Sequence, residues 1–120
     1  MQSAIPIMRK QGAGTIVNIS SYAARSVSPG SSAYAATKSA LATISLTARK
    51  ELEDHGITVS VVYPRWTATD FRKHVLQSKV SVTVPYPAIT GMPDSPEKVA
   101  SKILEIVETG AAEVALEWIR

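Results

Sequence analysis

Apolar positions along this chain gather in short β-branched runs separated by longer stretches with helical spacing. Residues 15 to 20, TIVNIS, are bounded by glycine and serine and predict a strand. Residues 57 to 64, ITVSVVYP, form a second such run without clean alternation, the pattern of a parallel strand buried on both faces, and Pro64 ends it. Between them, residues 21 to 32 are rich in Ser, Gly and Pro and predict a loop. The longest helical pattern runs from about Ser32 to Asp54, with Gly56 placed as its C-terminal cap. Residues 1 to 10 predict the last turns of an amphipathic helix with Ile5, Ile7 and Met8 apolar, short or kinked at Pro6 and stopped by QGAG. A short helix is predicted from about Ala68 to Lys79, followed by an irregular, proline-rich loop. In SPEKVASKILEIVETG, Ser95 caps a helix, Pro96 suits its first position, and Val99, Ile103, Leu104, Ile106 and Val107 form one apolar face before Gly110. AEVALEWI predicts a terminal strand.

The order strand, helix, strand, helices, strand is that of an α/β domain with a parallel sheet and crossover helices. In such a sheet the loops after the carboxyl ends of the strands form the functional edge. Ser20 and Ser21 follow the first strand, and Pro64 to Thr69 follow the second, so both segments are expected on that edge.

With 120 residues the chain has room for one domain, 1 to 120. It has no cysteine, which excludes disulfides and thiolate metal sites and favours a cytoplasmic setting. His55 and His74 lie far apart without ligand spacing, so no metal is expected. The net charge of +3 is spread among acids, and the one basic knot, Arg72-Lys73-His74, is read as a solvated helix end rather than a nucleic-acid site. No apolar run approaches the roughly 20 residues needed to cross a membrane. The N-terminal apolar patch precedes its basic residues, the reverse of a secretory signal.

Tyr34 and Lys38, four apart, share one face of the long helix. An ammonium beside a phenol favours the phenolate, which makes such a pair a sensible general acid/base. Ser21, in the loop before this helix, has a hydroxyl able to hydrogen-bond a substrate carbonyl. The pair alone does not decide between chemistry and an ordinary helix face. The whole arrangement does: GTIVNISS, thirteen residues from Ser21 to Tyr34, then YAATK, then YPRWTATDF after the second strand.

These motifs resemble the short-chain dehydrogenase/reductase family, in its C-terminal part only. The resemblance implies a Rossmann-type doubly wound sheet with its N-terminal strands missing, and NAD- or NADP-dependent oxidation of an alcohol or reduction of a ketone. Tyr34 would be the acid/base and, with Lys38, one of the cofactor-binding residues, and Ser21 would orient the substrate oxygen. Lys38 would favour the phenolate of Tyr34 and hydrogen-bond the nicotinamide ribose. The backbone at Pro64, Arg65, Trp66 and Thr67 and the hydroxyl of Thr69 would hold the nicotinamide and diphosphate side of the cofactor. Ser20 would be a structural neighbour. Arg65 stands where the family usually has glycine; its side chain either points away from the cofactor or meets a cofactor phosphate.

The family's glycine-rich nucleotide turn is absent, because Gly12-Ala13-Gly14 follows a helix and precedes a strand. The family's relay asparagine would fall upstream of Met1. Without earlier strands the first strand would keep an open edge. We therefore read the chain as a fragment, a truncated gene product or an incomplete record of a longer protein, and expect no dehydrogenase activity from it alone. The substrate loop after Thr69 contains Phe71, Val75, Leu76 and Tyr86, which suit an apolar or medium-sized substrate or simply a packed loop.

Two other function classes make different demands on the sequence. A serine hydrolase would need G-x-S-x-G or S-x-x-K around Ser21, Ser31 or Ser32, and neither motif is present. A non-catalytic interaction module is the alternative function: Ala35, Ala36, Ala40, Ala42, Thr43 and Thr47 either let another helix approach, as in the resembled family's homo-oligomers, or pack on their own sheet.

Overall fold

The computed structural model describes residues 1–71 and 92–116. Its elements run α1 (Ile5–Gln11), β1 (Gly14–Ile19), a 3-10 turn (Tyr22–Arg25), α2 (Ser32–Leu52), a second 3-10 turn (Glu53–His55), β2 (Ile57–Tyr63), α3 (Pro96–Thr109) and β3 (Glu113–Ala115). The three strands form one parallel sheet in the order β1-β2-β3. Gly14 pairs with Ile57 and Ile19 with Val62 across β1 and β2, while Val61 pairs with Glu113 across β2 and β3. This is an α/β, Rossmann-like partial sheet. Among the described residues the outer edge of β1 has no strand beside it.

β2 is the centre because both of its faces carry apolar side chains. On one face Val59 joins Ala48 and Leu52 of α2 and Ile57, with Met1, Ile5, Met8 and Ile16 packed against them. Val61 and Tyr63 continue that face against Ala42 and Leu46. On the other, Val62 meets Ile106 and Leu116, with Val17, Val99 and Ile103 alongside. Helices thus cover both faces of a strand that sequence alone marked as two-sided.

Several expected boundaries shift for physical reasons. Pro6 sits in the first turn of α1, where its missing N–H is harmless, so it starts that helix instead of kinking it. The loop after β1 tightens into a 3-10 turn because the Ser21 hydroxyl accepts the Ala23 N–H at 3.2 Å. α2 stops at Leu52 and passes through the second 3-10 turn to Gly56 at φ 67°. A Cβ on Gly56 would lie 2.4 Å from the Gly12 carbonyl oxygen, so this return into β2 excludes any side chain.

α3 matches its expected bounds, with the Ser95 hydroxyl accepting the Lys98 N–H and Gly110 in the left-handed region. Its apolar face is narrower than the sequence indicated. At about 100° per residue, Val99, Ile103 and Ile106 fall on one seam, whereas Leu104 lies roughly 130° round from it. Ile106 is fully buried, and Leu104 and Val107 are 63% and 45% exposed. The helix expected from Ala68 to Lys79 falls mostly outside the described residues, as do Val75, Leu76 and Tyr86.

Candidate functional site

The carboxyl ends of β1 and β2 lie side by side, and the chain leaves both at one edge. Ser20 N–H donates to the Val62 carbonyl and Tyr22 N–H to the Pro64 carbonyl, each at 2.8 Å. These two bonds fasten the Ser20–Tyr22 corner to the start of the segment after β2. Ser20 is buried, and its hydroxyl donates to the Lys38 carbonyl at 2.9 Å, fixing α2 against the same corner.

On that helix Tyr34 is exposed at 37%, and the Lys38 ammonium lies 5.9 Å from its ring centroid. Lys38 Nζ donates to the Ile19 carbonyl at 3.0 Å, so the cation is tethered to the last residue of β1. Ser21 is spent as an acceptor for Ala23 N–H, which leaves its own O–H free in direction to donate. Phe71 lies beside Tyr34 with ring centroids 6.3 Å apart and is itself 61% exposed. The edge therefore carries a phenol, a tethered ammonium, a hydroxyl donor and one apolar wall.

The segment after β2 is organised by a residue that sequence reasoning missed. Asp94, 4% exposed, accepts from Arg65 Nε at 2.9 Å and Arg65 Nη2 at 2.8 Å in a bidentate pair, and from Lys98 Nζ at 2.7 Å. Its backbone N–H donates to the Trp66 carbonyl and its carbonyl accepts Ala68 N–H, both at 2.9 Å, around a parallel bridge between Thr67 and Asp94. The Arg65 hydrogen bonds hold the Asp94 carboxyl below its ordinary value; burial opposes this and Lys98 adds to it. The Arg65 guanidinium is thus directed at Asp94, and its backbone has no positive φ. The only sequence signal for Asp94 is an acid directly before the Ser95 cap.

Two polar arrangements buttress the edge from within. Asn18 Nδ2 donates to Ser45 Oγ at 2.8 Å, locking β1 to α2. Tyr63, the last residue of β2, donates its phenol proton to Glu113 Oε1 while the Arg25 guanidinium sits 5.0 Å over its ring. Burial, and then the Glu113 carboxylate, push the Tyr63 phenol up to about 12, with Arg25 pulling the other way. A raised value means folding favours the protonated phenol, so this contribution is complete below pH 10.0 and is lost as pH rises through about 12. Melting temperature is therefore expected to fall across that window, and to fall less in Tyr63→Phe than in the wild type.

A separate concavity of about 200 Å³, lined by Arg49, Glu53, Gly56, Ile57 and Thr58, opens at the opposite end of the sheet. Arg49 there donates to the Val59 and Gly110 carbonyls, a structural tie between β2 and the end of α3. Among the described residues no group of three His, Asp or Glu side chains is placed to hold a metal, and no helix is long and apolar enough to cross a membrane.

Comparison with known proteins gives the same framework. The chain matches the short chain dehydrogenase family over residues 1–80. It is 32% identical over 106 residues to a 3-oxoacyl-[acyl-carrier-protein] reductase of Synechocystis, covering 88% of this chain and 41% of that protein. A short-chain dehydrogenase from Streptomyces avermitilis superposes with a TM-score of 0.79 at 28% identity, over 97% of this chain and 46% of that one. One from Sphingobium yanoikuyae, solved in complex with NADPH, gives 0.76 at 25% identity, over 95% and 42%. The chain spans less than half the length of these relatives. With the parallel sheet, the Tyr34–Lys38 helix and the family match over residues 1–80 all in agreement, this chain belongs to the short-chain dehydrogenase family of oxidoreductases.

Proposed function

We propose that these residues form the proton-handling half of an NAD(P)-dependent oxidoreductase that interconverts an alcohol and a ketone. The reading rests above all on one observation: the Lys38 ammonium, beside the Tyr34 ring, is tethered to the last residue of β1, two residues before Ser21 in a corner that is itself bonded to Pro64. The edge suits the nicotinamide end of a dinucleotide, since it offers an ammonium, hydroxyls and backbone around an open face; the described residues include no glycine-rich turn for the diphosphate. When bound, the nicotinamide supplies or accepts the hydride. Tyr34 gives its proton to the carbonyl oxygen during reduction and takes it back during oxidation. Ser21 donates a hydrogen bond to the same oxygen and sets its direction. Lys38 places its ammonium beside Tyr34 and bonds the ribose, and the backbone from Pro64 to Thr67 with Thr69 holds the nicotinamide side.

The phenyl face of Phe71 next to Tyr34 fits a ketone with an apolar substituent. The test is oxidation of NADH or NADPH by the natural gene product with a panel of ketones, including a 3-oxoacyl thioester. No turnover with any carbonyl acceptor, together with no binding of either nucleotide, would sink the reading.

A second role is supported by the outward face of α2. Ala42 packs on the sheet, but Ala36, Ala40, Thr43 and Thr47 face outward around Ile44, which is 56% exposed. Small residues at this spacing admit a second helix closely, and a second copy of this chain is the proposed partner. Light scattering after size exclusion should give a dimer or tetramer, and Ile44→Lys should shift it toward monomer; a wild-type monomer ends the idea.

A further inference from the structure

We propose that Asp94, with Arg65, is a positioning residue that sets the cofactor-facing turn from Pro64 to Thr69; the inference rests on the function proposed above. The turn has two fixed points. At its start the Pro64 carbonyl takes the Tyr22 N–H, which ties it to the corner bearing Ser21. Further along, Asp94 grips it from the other side through four contacts, two from the Arg65 guanidinium and one backbone bond each with Trp66 and Ala68, while Lys98 of α3 holds the Asp94 carboxylate from its own side. The backbone of Trp66 and Thr67 runs between these points, and Thr67 Oγ1 donates to the Arg65 carbonyl at 3.2 Å within it.

The chemistry of the pair favours positioning over plain stability. A planar guanidinium and a carboxylate meeting through two bonds fix orientation as well as distance. Burying the pair costs much of its Coulomb attraction in desolvation, so its net stabilisation is small while its geometric demand is strict. Both side chains are nearly dry, at 7% and 4% exposure. Lys98 is different: its side chain is 42% exposed and adds a solvated third contact. A glycine at position 65 would leave the turn free to take many backbone angles. Here the side chain of Arg65 removes that freedom by reaching to the foot of α3.

The measurement is the dissociation constant of NADH or NADPH for the natural gene product, by nicotinamide fluorescence, well below each variant's melting temperature. Asp94→Asn keeps the shape and one acceptor but loses the charge, and should weaken binding about tenfold. Arg65→Met should do the same, and the double variant should be no worse than either single one, because the two act as a unit. Arg65→Lys, which keeps the charge and loses the fork, should recover part of the affinity. Turnover of Asp94→Asn at saturating nucleotide should change less than about threefold, since Tyr34 and Lys38 sit on α2 and Ser21 follows β1.

A merely structural pair would lower the melting temperature and leave the affinity of the folded variants alone. That outcome, with turnover still dependent on Tyr34, overturns this inference and leaves the proposed function standing. A wild-type protein that binds neither nucleotide removes both. If Asp94→Asn does not fold, the Arg65 variants carry the test, and wild-type affinity in both refutes the proposal.

Discussion

Tyr34→Phe is expected to lower turnover of the natural gene product by about a hundredfold to ten-thousandfold, the span that a positioned acid/base contributes. The change removes one oxygen and leaves the ring, so the contact with Phe71 at 6.3 Å and the shape of the edge survive. Tyr34 is 37% exposed, its hydroxyl is not part of the core, and melting temperature should move little. Nucleotide affinity should fall little, because Tyr34→Phe keeps the ring, and the ribose bond and nicotinamide side are assigned to Lys38 and the Pro64–Thr69 turn. A large fall in kcat with little change in nucleotide binding is the signature of a group that acts in the transition state. Equal turnover of wild type and variant would remove Tyr34 from the chemistry, and the proposed function would then lose its acid.

The parts of this fold that could be read from sequence are those where local signals and tertiary packing agree. β2 shows the unbroken β-branched run that two helix-covered faces require, and the cap residues Ser95, Gly110 and Gly56 carry their geometry in their own chemistry. That Tyr34 and Lys38 share a face was legible because helical spacing alone puts them there, while the role proposed for them came from the surrounding motif. Ser21 needed the surrounding motif, since a serine in a serine-rich loop has no local signature of its own.

What stayed hidden depends on partners distant in sequence. Asp94 meets Arg65 across 29 residues, and no periodicity links an acid before a helix cap to an arginine after a strand. Arg65 stood out as a departure from the resembled family, with two directions open to its side chain; the fold turns it to Asp94. Leu104 and Val107 differ the other way: Leu104 lies far round from the seam and Val107 at its margin, and both are exposed. The angular offset of Leu104 was available from the sequence, but the width of the groove that receives α3 was not.

Lys38→Met should separate the two roles assigned to that ammonium. The tether to the Ile19 carbonyl is lost, but Ile19 is 39% exposed and water can take its place, so the stability cost is about 0.5–1.5 kcal/mol. The Ser20 bond to the Lys38 backbone carbonyl is untouched, which keeps α2 seated on β1. Catalysis should fall much further, by about a hundredfold or more in kcat/KM near neutral pH, because both the cation near the phenol and a ribose contact disappear. The nucleotide KM of Lys38→Met should rise as well, because the ribose contact is lost in every state of the reaction. A variant with a raised nucleotide KM and wild-type kcat would show that Lys38 binds ribose without acting in the chemical step. One with an unchanged KM and a lowered kcat would show the reverse.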